Sequence, residues 1–334
     1  MAEGVTPCAD GEGMSPSPNR DVLAISVGAG GIRARRTGLD VDAPDSTVEI
    51  PRPVVDEVAP PAEQVVGLVA ELGALTQRDG RPPEAVVAAV PEGWYEAAPG
   101  LLSGLRVAMP GARCAVVATA YAALVGAHGG VKPGICLDVG AEASVVATDS
   151  EGLWFRGDGW GPLLGSRGSG AWLGAQGLAA GLRWRDGVPD GSEALLVAGR
   201  AAFGPEEGWP ALVAGRDAAT ALTTFAPAVC EVAREDPLAR AIVEAAAEHL
   251  ADTVQPVRDL LPGAPVAVVG GLLYLDAMRV AIASAFGKRR IVLVPALGGA
   301  LEGARLVGEH LLSGGGLPHR PPFVVLDHRG ELPT

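Results

Sequence analysis

The feature that most constrains the fold is a strand, a glycine turn and a second strand, a unit that occurs twice in the chain. The first unit spans 21–36 with its turn at 28–31, and the second spans 134–147 with its turn at 140–142. Apolar runs on both sides of a glycine turn are typical of β-hairpins. The repeat predicts two α/β halves of a duplicated fold, with a cleft between them.

The rest of the chain alternates between patterns typical of helices and of strands. In chain order the sequence predicts a helix over 62–78, strands over 85–90 and 115–118, a helix over 121–127, mostly helix over 169–261, a strand over 266–269, a helix from Leu275, a strand over 291–294 and a helix over 297–312. This alternation predicts an α/β fold.

Composition narrows the classes of function. The chain has 334 residues, 48% of them hydrophobic, and a net charge of -13. A strongly acidic protein is not expected to bind nucleic acid or an anionic membrane, because both need a basic surface. The four cysteines form no C-x-x-C pair, which argues against zinc and against a disulfide framework. With no apolar run of 18 residues and no signal-peptide pattern, we expect a soluble, cytoplasmic protein.

Composition shifts along the chain suggest its domain organisation. We expect a disordered leader over 1–19, a first domain over 20–118, a second over 119–296 and a flexible tail over 313–334. The helix over 297–312 is expected to pack back on the first domain. A short apolar stretch at 323–326 would add an edge strand.

The most specific stretch is G-D-G-W-G-P-L-L-G-S-R-G-S-G-A-W-L-G over 157–174. It closely resembles the G-G-W-G-P-L-L-G-D-E-G-S-G-Y-W-I-G signature of the BadF/BadG/BcrA/BcrD ATPase and N-acetylglucosamine kinase family, and the match extends in order from Val22 to about Leu312. The resemblance implies an actin-like sugar kinase fold of two ribonuclease-H-like domains in a bacterial protein, with ATP and substrate in the cleft. The alternative is a structural loop in which Ser169 caps a helix and Trp160 and Trp172 are core aromatics.

The first phosphate hairpin of that family reads D-G-G-G-T-x-T, and the matching stretch here is S-V-G-A-G-G-I, from Ser26. Gly28, Gly30 and Gly31 keep the turn that the resemblance assigns to nucleotide phosphates. The aspartate is replaced by Ser26, whose hydroxyl brings no charge.

The resemblance places the catalytic aspartate of the family where Thr119 stands here, at the start of a helix. A threonine can cap that helix, but it cannot accept a sugar hydroxyl proton near pH 7. Losing a general base costs on the order of a hundred- to ten-thousandfold in rate.

The second phosphate hairpin of the family reads G-T-G-S, and here it is Gly140-Ala141-Glu142-Ala143. Both hydroxyls are lost and an anion lies near the expected phosphates. Asp138, just before the turn, is a candidate metal ligand that would replace the missing acids, or a strand-end aspartate that faces solvent.

The G-D-E-G loop, which the resemblance links to substrate binding, is Gly165-Ser166-Arg167-Gly168 here. The Arg167 side chain either binds a phosphate or carboxylate group of a ligand or lies exposed to solvent. Asp158, upstream, is either an acid for the cleft or a turn residue.

The adenosine-side turn matches the family best. Gly270 and Gly271 follow the strand 266–269, and the resemblance implies that they let the backbone approach adenine and ribose. A small-residue helix start at 295–300 also fits this pattern.

The sequence thus predicts an ATP-dependent sugar kinase-like protein of the N-acetylglucosamine kinase type, with weak or lost activity. The alternative is an inactive pseudokinase that binds a nucleotide, a sugar or a protein. The expected ligands are a small sugar or amino sugar and, if the protein is active, ATP with Mg²⁺. The sequence leaves open whether the protein forms a homodimer. The iron–sulfur activators of the same family are not favoured, because no cysteine lies in a glycine-flanked loop.

Overall fold

The computed structural model describes residues 21–28, 31–37, 46–50, 82–94, 96–215 and 218–326. In these ranges the chain forms two mixed β-sheets with helices around and between them. The leader 1–19, the turn residues Ala29 and Gly30 and the helix predicted over 62–78 lie outside the described residues.

The first sheet has six described strands. They are β1 (Val22–Gly28), β2 (Gly31–Thr37), β3 (Ser46–Ile50), β4 (Ala85–Val90), β5 (Arg113–Ala118) and, from the end of the chain, β11 (Val324–Leu326). Their order across the sheet is β11-β5-β4-β1-β2-β3. β1 to β3 pair antiparallel, whereas β1, β4 and β5 run parallel. β4 reads A-V-V-A-A-V and is buried throughout, as expected of a strand covered on both faces.

The second sheet repeats this arrangement. Its strands are β6 (Gly134–Val139), β7 (Ala143–Thr148), β8 (Trp154–Asp158), β9 (Val266–Val269) and β10 (Leu293–Val294). They lie in the order β10-β9-β6-β7-β8, which matches β5-β4-β1-β2-β3 strand for strand. The prediction of an α/β fold with two equivalent halves is therefore confirmed.

Ten α-helices lie in the described part of the chain. They are α1 (Ala98–Ala108), α2 (Thr119–His128), α3 (Gly161–Leu164), α4 (Gly170–Arg185), α5 (Glu193–Phe203), α6 (Trp209–Ala214), α7 (Ala218–Val232), α8 (Pro237–Leu260), α9 (Asp276–Lys288) and α10 (Ala300–Leu312). Short 3₁₀ helices occur at Glu92–Trp94, Glu206–Gly208 and Gly271–Tyr274.

Helix α2 lies between the two sheets. Its sequence is apolar on every side, and such a helix is stable only when it is buried all round. Its core cluster takes in Ala24 and Val117 of the first sheet and Cys136 and Ala267 of the second. Helix α10 packs against α2 and against the first sheet, where Gly308 meets Val22.

The end of the chain returns to the first sheet and also reaches the second. β11 pairs antiparallel with β5, which confirms the edge strand expected at 323–326. The Trp154 ring, on β8, lies 5.0 Å from the Tyr121 ring of α2 and 5.3 Å from the Phe323 ring. This aromatic group joins the two halves through α2 and the C-terminal segment.

Two predicted elements differ in length. The final helix begins at Ala300 instead of 297, after Gly298 and Gly299, because two consecutive glycines disfavour helical backbone. The strand predicted over 291–294 is reduced to Leu293–Val294.

His128, the last residue of α2, carries a pH-dependent part of the stability. Its ring is buried and its Nε2 lies 3.1 Å from the Ile135 carbonyl oxygen of β6. Burial lowers the pKa of this imidazole, and the positive charge of nearby Lys132 lowers it further. The hydrogen bond to Ile135 raises the pKa, but the net shift is downward.

Folding therefore favours the neutral ring, and the unfolded chain binds the extra proton. We expect the free energy of unfolding to level off above about pH 6.5, the ordinary pKa of histidine, and to fall below it. Urea titrations at several pH values measure this slope, which His128→Gln should reduce. An unchanged slope in that variant would assign the pH dependence to other groups.

Candidate functional site

The candidate site is built from the ends of parallel strands in the two sheets. In open α/β sheets ligands bind beyond the carboxyl ends of such strands. The predicted residues of the two hairpins, Ser26 and Gly28 on β1 and Asp138 on β6, lie at or near these ends. Both predicted hairpin turns therefore lie at the edge of their sheet where this class of fold binds ligands.

The first hairpin is joined to the start of α2. Ser26 is buried, with 4% of its surface exposed, and Gly28 pairs with Gly31 across the turn. The Thr119 hydroxyl donates a hydrogen bond of 3.3 Å to the Val27 carbonyl oxygen. The start of α2 is thus joined to β1 at the residue that follows Ser26.

The prediction that Thr119 caps α2 is wrong. The N-cap position is Ala118, which has extended backbone and no side-chain cap bond. Thr119 is already the first helical residue, so its hydroxyl reaches across to β1 instead of back to the helix amides.

The second hairpin is held against the N-terminus of α4. The Gly170 amide donates to the Gly140 carbonyl oxygen at 2.9 Å, and the Ala171 amide donates to that of Ala141 at 3.2 Å. The hairpin closes through the Gly140 amide, which donates to the Glu142 carbonyl oxygen at 2.9 Å. The first two amides of α4 therefore donate hydrogen bonds to the second hairpin.

Asp138 meets the adenosine-side turn. β6 and β9 are parallel neighbours, and Asp138 is paired in register with Val269. Gly270 has a φ of +111°, and a Cβ there would lie 2.6 Å from Asp138 Oδ1 and 2.5 Å from the Val139 carbonyl oxygen. Only glycine fits this position. Asp138 is half-buried, and its carboxylate lies beside this turn.

The loop between β8 and α4 is organised by Asp158. Its Oδ1 accepts a hydrogen bond of 3.0 Å from the Gly159 amide and a short one from the Ser166 amide. Asp158 therefore acts as a turn residue, the second of its two predicted roles. Asp158 on β8 is opposite Ser144 on β7, and Ser144 is opposite Asp138 on β6. The three residues therefore lie on one face of the sheet.

The proposed substrate residues lie in this loop. Ser166 has a φ of +58° and is 1% exposed, and its Oγ has no hydrogen-bond partner in the described structure. Arg167 is exposed, whereas Gly168 (φ +84°) is pressed against the backbone of α8 at Ala246. Gly165 donates its amide to the Gly161 carbonyl oxygen at 3.0 Å.

Ser169 caps α4, because its Oγ accepts a hydrogen bond of 3.2 Å from the Trp172 amide. Trp172 packs partly buried against the core. Trp160, however, is 64% exposed, with the Arg156 guanidinium 5.1 Å from its ring. The alternative in which both tryptophans are core residues is thus correct for Trp172 and wrong for Trp160.

Glycines at two of the turns leave room for a ligand. A Cβ at Gly28 or at Gly271 would have no atom of the described residues within 4 Å, so the described structure leaves open space at both positions. ATP phosphates and the nucleoside fit such turns, because glycine permits close approach to the backbone. Mg²⁺ is usually held by one or two carboxylates together with the phosphates, and Asp138 can supply one.

The searched part of the chain contains no group of three or more histidine, cysteine, aspartate or glutamate residues placed to hold a metal ion. Among its helices, none is both long and apolar enough to cross a membrane.

This arrangement is the fold of the actin-like sugar kinases. No family model matches the chain, and a search of curated proteins finds no match. The fold identification rests on solved structures, and the specific resemblance to the BadF/BadG/BcrA/BcrD family stays a prediction.

Three solved structures illustrate the likeness. A candidate N-acetylglucosamine kinase from Chromobacterium violaceum is 26% identical, with a TM-score of 0.66 over 86% of this chain and 99% of its own. One from Porphyromonas gingivalis is 18% identical, with a TM-score of 0.70 over 87% and 99%. A ROK family glucokinase from Streptomyces griseus, in complex with glucose and AMPPNP, is 17% identical, with a TM-score of 0.51 over 85% and 97%.

Proposed function

We propose that this protein binds ATP and a small sugar or amino sugar in its cleft as a relative of the N-acetylglucosamine kinases, with weak or lost phosphoryl transfer. The 26% identity to the Chromobacterium violaceum protein over nearly all of that chain supports the choice of sugar class. The open turns at Gly28 and Gly271 support nucleotide binding.

The bond from Thr119 to Val27 is the observation that carries the proposal of weak transfer. A kinase needs a group that accepts the proton of the attacking hydroxyl. The Thr119 hydroxyl donates its only proton to a backbone carbonyl, and as a neutral alcohol it is a very weak base.

The neighbouring carboxylates already have other contacts. Asp158 accepts two backbone amides of its own loop, and the Asp138 carboxylate lies against Gly270. Oδ1 of Asp158 therefore holds its own loop, and Asp138 packs beside the turn that follows β9.

The second candidate function is a pseudokinase that binds nucleotide, sugar or a protein without turnover. The same bond at Thr119 favours it, since binding needs only the turns and the loop. Turnover separates the two candidates: weak transfer indicates a slow kinase, and none indicates a binding module.

The test is phosphorylation of N-acetylglucosamine by the purified full chain with Mg²⁺-ATP. We expect a rate on the order of a hundred- to ten-thousandfold below the 1–10³ s⁻¹ of ordinary enzymes. Thr119→Ala is the matched variant, and it should keep whatever rate remains. Turnover at an ordinary rate, or its loss in Thr119→Ala, would contradict the proposal.

A further inference from the structure

The two carboxylate oxygens of Asp158 have different surroundings. Oδ1 accepts the amides of Gly159 and Ser166, so the loop uses this oxygen. Oδ2 has no hydrogen-bond or ion-pair partner among the residues that the structure describes. A carboxylate offers about four acceptor sites, and here the bonds at Oδ1 fix the direction of the group while Oδ2 stays available. The role in the turn therefore accounts for only half of this carboxylate.

The strand register places Asp158 on the side of the second sheet that faces α2. Asp158 ends β8, and Ser144 lies opposite it on β7. Two residues away along these strands, Arg156 is opposite Val146, which belongs to the core cluster of α2. Residues two apart in a strand share a face, so Asp158 and Ser144 point to the same side as Val146. They lie in the row of Asp138, nearer the ligand-binding edge, and therefore border the cleft.

Two polar side chains lie beside Asp158. The Ser144 hydroxyl has no partner among the described residues, and directly opposite side chains have Cβ atoms about 4.5–5.5 Å apart. Arg156 donates from Nη2 to the Gly159 carbonyl oxygen at 2.7 Å, and its guanidinium lies 5.1 Å from the centre of the Trp160 ring. These contacts hold the guanidinium in place, and it makes no ion pair with Asp158 in the described structure. The place thus offers an acceptor, a hydroxyl and a fixed cation.

The charges around this place favour an uncharged ligand group. An anion would meet the carboxylates of Asp158 and Asp138 on one face, and Glu142 in the adjoining turn, against the single charge of Arg156. A hydroxyl group suits the place better, because it donates to a carboxylate oxygen and accepts from a neighbouring hydroxyl.

We propose that Asp158 selects the sugar: Oδ2 accepts a hydrogen bond from a ring hydroxyl, and the Ser144 hydroxyl binds the hydroxyl next to it. This inference rests on the proposed binding of a sugar in the cleft. Asp158 then has both roles suggested by its position, since Oδ1 holds the loop and Oδ2 faces the cleft. Because the loop bonds fix the carboxylate before the sugar arrives, little conformational freedom is lost on binding.

Calorimetric titration of the full chain with N-acetylglucosamine, without nucleotide so that no transfer occurs, tests the inference. Asp158→Asn keeps an oxygen for the two loop amides and tolerates the φ of +60°, but it turns the free acceptor into a donor. We expect this variant to weaken sugar binding about tenfold or more, because hydrogen bonds to a charged group are the strong ones. Ser144→Ala should weaken it about threefold to tenfold, as the loss of a neutral hydrogen bond does.

Asp149→Asn is the matched control. Asp149 Oδ1 also accepts backbone amides in a turn, those of Glu151 at 2.8 Å and Gly152 at 3.0 Å, but this turn joins β7 to β8 at the opposite edge of the sheet. The control should bind N-acetylglucosamine like the wild type. All three variants should keep the affinity of the wild type for ATP.

Each other outcome counts against the inference. An unchanged sugar affinity in Asp158→Asn would overturn it and leave the proposed function standing. If Asp158→Asn loses the far-ultraviolet circular dichroism of the wild type, Ser144→Ala decides, and an unchanged affinity there would overturn the inference. A joint loss of sugar and ATP binding in a folded Asp158→Asn protein would assign Asp158 to the loop alone. A wild-type chain that binds ATP but neither N-acetylglucosamine nor glucose would refute the proposed sugar binding, and the role of Asp158 with it.

Discussion

Replacement of Gly303 by alanine is expected to lower the free energy of unfolding by about 2 to 3 kcal/mol. Gly303 lies where α10 crosses α2, and a Cβ there would overlap the Ala122 carbonyl oxygen and lie 2.8 Å from the Gly126 nitrogen. Both neighbours are backbone atoms, so the helices would have to separate. These helices lie between the sheets, and the cost would spread through both halves.

Gly287→Ala is the matched control for that variant. Gly287 is a helical glycine of α9, and a Cβ there would have no atom within 4 Å from the residues that the structure describes. The same substitution should therefore be neutral or stabilise by up to about 1 kcal/mol. Urea unfolding of both variants measures the difference, and equal effects would contradict the close helix crossing.

The second large effect is expected at the adenosine-side turn. Gly271→Val should lower the affinity for ATP at least about tenfold, or 1.4 kcal/mol, because its side chain would enter space that the nucleotide is proposed to occupy. The free energy of unfolding without ligand should change little, since no protein atom lies near the added Cβ.

Gly270→Ala, in contrast, is expected to lower the stability of the protein even without ligand. Its positive φ and its contacts with Val139 and Asp138 should cost on the order of 1–3 kcal/mol of stability before any ligand is added. Calorimetry with ATP and urea unfolding of the two variants separate the effects. A Gly271→Val protein that binds ATP like the wild type would show that this turn does not face the nucleotide.

Local patterns in the sequence were enough to predict the two hairpins. β1 and β6 are apolar runs that end at glycine turns, and both the strand and the turn are encoded within a few residues. The matching strand order of the two sheets follows from the repeat of this unit. β8 was not predicted, because W-F-R-G-D combines aromatic, charged and glycine residues and its last two residues begin the glycine-rich signature.

Helix α1 was not predicted either. It begins A-P-G, and proline followed by glycine normally indicates a turn. Proline is well tolerated in the first turn of a helix, where its missing amide has no intrahelical partner. Four buried residues on one side, Ala98, Leu101, Leu102 and Leu105, then stabilise the helix against the first sheet.

The contacts of the site depend on tertiary structure that the sequence does not reveal. Asp138 and Gly270 are far apart in the chain and meet only because β6 and β9 are neighbours. Thr119 follows a pattern that also suits a helix cap, and only the position of β1 decides which oxygen its hydroxyl reaches.

Many of the acidic residues serve the scaffold. Glu206 accepts hydrogen bonds from Arg200 and from Arg185, and these contacts lower its pKa to about 2. Glu302 lies between Arg35 and Arg305, and the bond from Arg305 lowers the pKa of this carboxyl. A net charge of -13 therefore says little about how many carboxylates the cleft can use.

The most direct test of the account is a single-turnover experiment, with the full chain in excess over γ-labelled ATP in the presence of Mg²⁺ and N-acetylglucosamine. Calorimetry under the same conditions establishes that the nucleotide is bound. The account predicts bound ATP and label that moves to sugar on the order of a hundred- to ten-thousandfold more slowly than the 1–10³ s⁻¹ of an ordinary enzyme, or not at all. Transfer of the label within that ordinary range would contradict it.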